Sequence, residues 1–285
     1  MERVSQLVND FSALEANFDG VKATAWMLSR PDIPIAFAAA YVVFVFAGRA
    51  VMRNAEPLQF KSLFTLWNFL LSAFSIYGGL TVIPFFLREL TTRGERHLFC
   101  TNGKEAYLSG PVGFWIVVFA LSKIPELIDT VFLVIRKRPV IFLHWWHHTT
   151  VLLFSWFALG DGVPAGPWFA AMNYFVHSIM YTYYFGMSFG GPLKAIVKPF
   201  AMSITVLQLV QMVFGLYVTL RIQLILNSEG PAACAGADPM VNLAGLGMYA
   251  SYFVLFANFF YHNYIKAGGR KRGGGPADAK KAKAQ

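Results

Sequence analysis

The stretch Phe142-Leu143-His144-Trp145-Trp146-His147-His148 places three histidines inside a long apolar region. On a helix, His144, His147 and His148 occupy positions i, i+3 and i+4, so their imidazoles share one face. Apolar runs lie at 131–135 and 140–143 before the histidines and at 151–159 after them. Ionisable groups inside a bilayer are rare and costly, and they usually mark function. The stretch therefore predicts a membrane protein with a functional site at this depth.

The composition is that of a membrane protein. The chain has 285 residues, of which 56% are hydrophobic and 14% charged, and its mean hydropathy is +0.49. A soluble domain carries about 25% charged residues. We expect an all-α, polytopic membrane protein whose domain covers 32–265, preceded by a polar lead-in at 1–31 and followed by a flexible basic tail at 266–285. The predicted transmembrane helices, seven in number, lie near 33–52, 62–87, 112–135, 140–159, 166–187, 199–222 and 241–265.

The basic residues predict the orientation, because Lys and Arg are retained on the cytosolic side of a membrane. Most of the 24 basic residues lie in the tail and in alternate connections, so the C-terminus is predicted to be cytosolic and the N-terminus lumenal. Basic loops facing an anionic leaflet account for the net charge of +9. A further hypothesis is that some basic residues on this side bind a phosphorylated substrate, namely Arg136, Lys137 and Lys198. No basic and aromatic pattern indicates nucleic acid.

The two cysteines, Cys100 and Cys234, both fall in connections predicted to be lumenal. In an oxidising compartment they either form a disulfide or remain free thiols. The sequence ends Lys281-Ala-Lys283-Ala-Gln285, which is similar to a dilysine signal for retrieval to the endoplasmic reticulum. The alternative is a solvated basic tail.

Polar residues gather at one level of four predicted spans, in the half nearer the cytosol. They are Lys123, Glu126 and Asp129 on the third span, the three histidines on the fourth, Asn173, His177, Tyr181 and Tyr184 on the fifth, and Thr205, Gln208 and Gln211 on the sixth. The charged stripe taken alone is also typical of a structural ion pair, and the glutamines of contacts between helices. Together they predict a site.

Two chemistries fit the four histidines of this level. Neutral imidazoles together with Glu126 and Asp129 could hold a single zinc or iron, as in a metal-dependent lipid desaturase or hydroxylase. Alternatively, the imidazoles serve as nucleophile and general base, with an acyl group carried as an acyl-imidazole. No cysteine lies near the predicted site. A third hypothesis is a seven-span receptor or transporter, but this class does not explain why the histidines lie at one depth.

Four motifs resemble those of the ELO family of very-long-chain fatty acid elongases. They are K-x-x-E-x-x-D-T at 123–130, F-L-H-x-x-H-H at 142–148, N-x-x-x-H-x-x-M-Y-x-Y-Y at 173–184 and T-x-x-Q-x-x-Q at 205–211. All four are complete and in order, and the resemblance covers about 35–265.

The resemblance implies a membrane enzyme of the endoplasmic reticulum that condenses a long-chain acyl-CoA with malonyl-CoA. The products are 3-oxoacyl-CoA, carbon dioxide and CoA. A narrow acyl-chain tunnel, no metal or redox cofactor, other enzymes of the elongation cycle as partners and homo-oligomers are also implied. Saturated and monounsaturated chains are weakly favoured by the residues at 141–146.

A mechanism follows as a hypothesis. His147 attacks the acyl thioester, and His144 or His148 tunes its basicity. His177 and Asn173 stabilise the malonyl-derived enolate. Glu126 and Asp129 orient imidazoles, and Lys123 balances their charge. Tyr181, Tyr184, Gln208 and Gln211 bind substrate within the membrane.

Overall fold

The computed structural model describes residues 2–266, and this part of the chain is built from helices. They are α1 (Glu2–Ala16), α2 (Gly20–Ser29), α3 (Asp32–Met52), α4 (Lys61–Cys100), α5 (Gly103–Ala106), α6 (Gly110–Ser122), α7 (Ile128–Ile135), α8 (Phe142–Asp161), α9 (Gly166–Phe189), α10 (Gly191–Val197), α11 (Ala201–Glu229) and α12 (Pro239–Phe260). Short 3₁₀ turns occupy Pro125–Leu127, Lys198–Phe200 and Pro231–Cys234, and a π-helical turn, Tyr261–Lys266, extends α12. The predicted all-α class is confirmed.

Helices occupy every predicted span, although the count of seven stays a prediction. Within residues 2–266, 4 helical segments are long and apolar enough to cross a membrane: Asp32–Met52, Lys61–Cys100, Gly191–Glu229 and Pro239–Lys266. The other predicted spans correspond to α6 with α7, to α8 and to α9. α6 and α7 are each shorter than a span, because the break between them divides this segment. The histidines and the polar residues of the third motif lower the hydropathy of α8 and α9. The protein is therefore a polytopic membrane protein.

The third predicted span breaks where its charged residues lie. α6 ends at Ser122, and Pro125 opens a 3₁₀ turn before α7 begins. Proline has no N–H to donate, and its ring clashes with the carbonyl four residues earlier, so it interrupts a continuous helix. The 3₁₀ turn nevertheless keeps Lys123 and Glu126, three residues apart, close enough to pair.

The segment at 1–31 is more than a lead-in, because part of it packs into the membrane domain. The Nε1 group of Trp156 in α8 donates to the backbone oxygen of Met27 in α2 at 2.8 Å, and Met27 is fully buried. Glu15 is also buried and accepts a hydrogen bond from Trp115 of α6. Thus α1 packs on α6, and α2 packs on α6 and α8. The tail beyond 266, with its predicted retrieval signal, lies outside the described residues.

The two ends of the domain differ in chemistry. At the disulfide end, the structure pairs Cys100 with Cys234 and so joins the end of α4 to the turn after α11. The ion pair between Arg96 and Glu229, 2.6 Å long, links the same two helices. The basic end is defined by the connections at 53–60, 136–141 and 190–200, which join the membrane helices and carry Lys and Arg residues. The motif residues lie closer to this basic end.

Candidate active site

The site contains a buried ion pair. Lys123 Nζ lies 2.7 Å from Glu126 Oε1, and the two side chains are 2% and 3% exposed. Ser122 Oγ also donates to Glu126 Oε1 at 2.8 Å. Among the described residues, the second carboxylate oxygen of Glu126 is buried without a hydrogen-bond partner. A buried charge requires a partner, so the Lys123 ammonium is held in place by this carboxylate.

A hydrogen-bonded chain connects that ion pair to α9, which is the fifth predicted span and carries the third motif. Lys123 Nζ donates to Asn173 Oδ1 at 3.3 Å, and Asn173 Nδ2 donates to His177 Nε2 at 3.1 Å. Asn173 and His177 are one helical turn apart, so α9 presents them on the same face. With Nε2 accepting, a neutral His177 carries its proton on Nδ1. The chain therefore fixes the orientation and tautomer of this imidazole.

Asp129 does not orient an imidazole, contrary to the sequence-based hypothesis. Trp67 Nε1 donates to its Oδ1 at 2.6 Å, and the Tyr181 hydroxyl donates to its Oδ2 at 2.8 Å. Both carboxylate oxygens are thus bound by residues of α4 and α9. Asp129 instead joins α7 to α4 and α9 through these hydrogen bonds, and Tyr181 donates one of them.

Two of the histidines on α8 are held by the surrounding helices. His144 Nε2 shares a hydrogen bond with Thr130 Oγ1 at 2.8 Å, and Thr130 in turn bonds the Tyr41 hydroxyl at 2.9 Å. His148 is buried, with its ring centroid 4.5 Å from that of His144. Thus α3 and α7 fix this side of the histidine cluster, defined here as His144, His147, His148 and His177.

His147 faces a different environment, a cavity enclosed by the helices. The space not filled by atoms is about 650 Å³, which includes the part that opens to the outside. Its polar wall is formed by His147, Asn173 and Gln211, and His147 is the member of the histidine cluster that lines it. The other lining residues are mostly apolar: Ile116, Phe119, Ala120, Val151, Phe154, Ser155, Ala158, Leu159, Val163, Gly166, Phe169, Met212, Met248, Tyr249 and Tyr252.

The cavity follows one face of α8 away from the histidines. Val151, Phe154, Ser155 and Ala158 succeed His147 at helical spacing. At 1.5 Å per residue, Ala158 lies about 16 Å beyond His147 along the helix axis. We call this space the tunnel. It is long and mostly apolar, with an imidazole near its polar end.

Tyr252 of α12 supports His147 in the tunnel wall. Its ring centroid is 4.9 Å from that of His147, and its hydroxyl donates to the His147 backbone oxygen at 3.2 Å. The same hydroxyl shares a 2.6 Å hydrogen bond with Thr150 Oγ1. These contacts fix the ring packing and the backbone of His147.

The remaining predicted site residues lie outside the tunnel lining. Gln208 Nε2 contacts Met180 Sδ at 3.2 Å, and Tyr184 is 40% exposed next to Tyr181. At the basic end, Arg136 stacks over Phe64 with its Cζ 4.3 Å from the ring centroid. The other basic candidates are exposed: Lys137 Nζ donates to the backbone oxygens of Arg53 and Ala55, and Lys198 lies in a 3₁₀ turn. A role for these three at the basic end stays a prediction.

Sequence reasoning missed Trp67, Tyr41 and Tyr252, each of which binds a motif residue. They lie on α4, α3 and α12, outside the four motifs. A buried tyrosine hydroxyl or tryptophan N–H normally finds a hydrogen-bond partner. That rule indicates that these residues need polar neighbours, but it does not identify the neighbours.

The ligand set proposed for a single zinc or iron is not assembled. Within residues 2–266, no group of three or more His, Cys, Asp or Glu side chains is placed to hold a metal ion. Asp129 binds Trp67 and Tyr181, and Glu126 binds Lys123, so neither carboxylate joins the histidines as a ligand. The arrangement instead suits proton transfer or nucleophilic attack by an imidazole.

Comparison with known proteins finds one matching family and relatives that are named fatty acid elongases. The model of the GNS1/SUR4 family matches residues 26–272. Fatty acid elongase 3 of Trypanosoma brucei brucei is 37% identical over 278 residues, which cover 90% of this chain and 91% of that protein. Very long chain fatty acid elongase 6 of Gallus gallus is 38% identical, with 88% of this chain and 91% of that protein covered. Its namesake in Drosophila melanogaster is 38% identical, with 90% and 80% covered.

Proposed function

The chain belongs to the GNS1/SUR4 (ELO) family, and we propose that it is the condensing enzyme of fatty acid elongation, a very-long-chain 3-oxoacyl-CoA synthase. It joins a long-chain acyl-CoA to malonyl-CoA and releases 3-oxoacyl-CoA, carbon dioxide and CoA. One observation supports this function most strongly: the tunnel is lined mostly by apolar residues, and His147 lies in the polar part of its wall. An acyl chain fills such a space while its thioester remains near the imidazole.

The first half-reaction transfers the acyl group to His147. An imidazole nitrogen attacks the thioester carbonyl, a nitrogen–carbon bond forms, and the carbon–sulfur bond breaks. The CoA thiolate leaves and takes up the proton lost by the imidazole. Tyr252 supports this step because it packs against the His147 ring and binds its backbone. Positioning of the nucleophile is itself a large part of such a rate enhancement.

The second half-reaction forms the new carbon–carbon bond. Malonyl-CoA loses carbon dioxide, and the resulting enolate attacks the carbonyl carbon of the acyl-imidazole. The nitrogen–carbon bond then breaks, and the departing imidazole nitrogen takes up a proton from the solvent, which regenerates neutral His147. Asn173 lines the tunnel, and its Nδ2 has a second hydrogen beyond the one given to His177. Together with the nearby Lys123 ammonium, this donor stabilises negative charge on the enolate oxygen.

We further propose the environment in which the enzyme acts. Its membrane is that of the endoplasmic reticulum, with the N-terminus lumenal and the basic end cytosolic. The CoA phosphates of both substrates then meet Arg136, Lys137 and Lys198 at the cytosolic surface. The disulfide between Cys100 and Cys234 suits an oxidising lumen. The proposed chemistry uses no metal or redox cofactor, and other elongation-cycle enzymes and further copies of the chain are its proposed partners.

The reaction itself is tested with purified protein in liposomes. We expect carbon dioxide release from carboxyl-labelled malonyl-CoA that requires a long-chain acyl-CoA, together with an equal amount of 3-oxoacyl-CoA. Malonyl-CoA without an acyl acceptor is the control. Acyl-CoA desaturation or hydroxylation in place of carbon dioxide release would overturn the proposal.

The tunnel predicts a length limit that can be altered from its wall. Ser155 lines the tunnel about 12 Å beyond His147 along α8. Ser155→Leu places extra side-chain volume there, so we expect conversion of the longest acyl-CoAs to fall about 10- to 200-fold, as steric changes of this size do in hydrophobic pockets. Shorter acyl-CoAs should react normally. The readout is the product profile across a series of acyl-CoA lengths.

A matched control places the same substitution outside the tunnel. Ser203 of α11 is exposed, so Ser203→Leu should leave the profile unchanged. If Ser155→Leu slows every chain length equally, the volume at Ser155 does not limit acyl length.

A further inference from the structure

A second space lies beside the tunnel, between α8 and α12. This side groove is bounded by Trp146, Thr150, Leu153, Phe154, Phe157 and Ala158 on α8 and by Val241, Ala244, Gly247, Met248 and Ser251 on α12. The space not filled by atoms in this open groove is about 820 Å³, including the part that lies outside the helices. Ala244 and Gly247 are exposed, so the groove opens on the outer surface of the helices, where the bilayer lies.

The groove exists because α8 and α12 are joined at one end and carry small residues farther along. Near the histidines, Trp146 Nε1 donates to Ser251 Oγ at 3.1 Å, and Thr150 bonds Tyr252. Small residues on membrane helices usually allow close helix contact. Gly247 does not make such a close contact, because a Cβ built at this position would meet nothing within 4 Å. Its small size leaves space.

The side groove and the tunnel share part of their walls. Phe154, Ala158 and Met248 line both spaces. Ala158 has a short side chain, and methionine is flexible enough to change shape without displacing the backbone. Only a thin layer of side chains therefore separates the inside of the tunnel from the bilayer.

We propose that the side groove receives the distal end of acyl chains too long for the tunnel, which pass between Phe154 and Met248 into the bilayer. The inference rests on the proposed function and names the occupant by chemistry, the terminal hydrocarbon of the acyl-CoA. The groove is apolar, and it continues the tunnel through their shared wall.

The bilayer makes such a path energetically reasonable. Lipid tails are as apolar as a leucine side chain, so a hydrocarbon segment that leaves the protein there exposes nothing to water. Phe154 and Ala158 lie about 10 and 16 Å from His147 along α8. An acyl group attached at His147 thus reaches the shared wall partway along its length, and only its remote end enters the groove.

The experiment fills the groove from outside the tunnel. Ala244 and Gly247 line the groove but not the tunnel, so Ala244→Phe/Gly247→Phe should block only chains that cross the shared wall. We expect at least about a tenfold loss of condensation with the longest acyl-CoAs. Acyl-CoAs short enough to stay in the tunnel should react within about twofold of wild type. Leu243→Phe, an exposed position of α12 outside the groove, is the matched control.

A labelled substrate gives a second readout on the wild-type protein. An acyl-CoA with a diazirine at the tail end is bound, photolysed and mapped by peptide mass spectrometry. Long probes should label Val241 or Ala244, and short probes should label Leu159 or Val163. Long probes that label only the tunnel residues, or a filled groove that leaves the longest products unchanged, overturn the proposal. Wild-type carbon dioxide release is measured first, so failure of the condensing function is recognised separately.

Discussion

His147→Ala is expected to lower the turnover number of condensation by about 10³-fold or more, since removing a positioned nucleophile or base removes a step of the reaction. His147 is the histidine of the cluster that lines the tunnel, and its ring lies beside Tyr252. The measurement is carbon dioxide release from malonyl-CoA in the presence of acyl-CoA. Size-exclusion chromatography and thermal stability show whether the variant is folded.

The neighbouring histidines provide the comparison for this result. His144 bonds Thr130, and His148 is buried against His144, so neither lines the tunnel. Their alanine variants should retain covalent transfer of the acyl group, although overall turnover falls. A folded His147→Ala protein that condenses at the wild-type rate would remove His147 from the mechanism.

The second large effect is expected on stability, at the buried ion pair. Lys123→Met leaves the Glu126 carboxylate buried without its cationic partner, and Glu126→Gln leaves the Lys123 ammonium buried without its anionic partner. Loss of one partner of a buried pair reduces the free energy of unfolding by about 3–5 kcal/mol. The double variant Lys123→Met/Glu126→Gln should be more stable than either single variant, because no lone charge remains. Denaturant unfolding in detergent measures all three against wild type.

An exposed ion pair is the control for this cycle. Arg96 and Glu229 are 54% and 44% exposed, and such pairs contribute about 0–1 kcal/mol. Arg96→Met should therefore change stability little. If the Lys123 and Glu126 substitutions prove additive in the double variant, the two charges do not stabilise each other.

The helical spacing of the polar residues allowed much of the site to be predicted from the sequence. A helix places residues three and four apart on one face. The stripe of Lys123, Glu126 and Asp129 could therefore be expected to meet the stripe of Asn173, His177 and Tyr181. The structure brings these stripes together, with Lys123 bonded to Asn173 and Asp129 to Tyr181. Helical period and hydropathy were sufficient for that much.

The individual pairings were beyond the reach of periodicity. Asp129 binds Trp67, which lies 62 residues away, and Thr130 binds Tyr41, which lies 89 residues away. Contacts at such separation depend on how α3, α4 and α7 pack against one another. The same limit applies to α2, whose packing on Trp156 follows from tertiary structure.

The most direct test of acyl transfer to His147 omits malonyl-CoA. Purified protein in detergent is incubated with a long-chain acyl-CoA, and intact mass, released CoA and the modified peptide are measured. We expect one acyl group per chain on His147, an equal amount of free CoA, and discharge of the acyl group when malonyl-CoA is added. An enzyme that turns over with both substrates but releases no CoA from acyl-CoA alone, or that carries the acyl group on another residue, would contradict the mechanism.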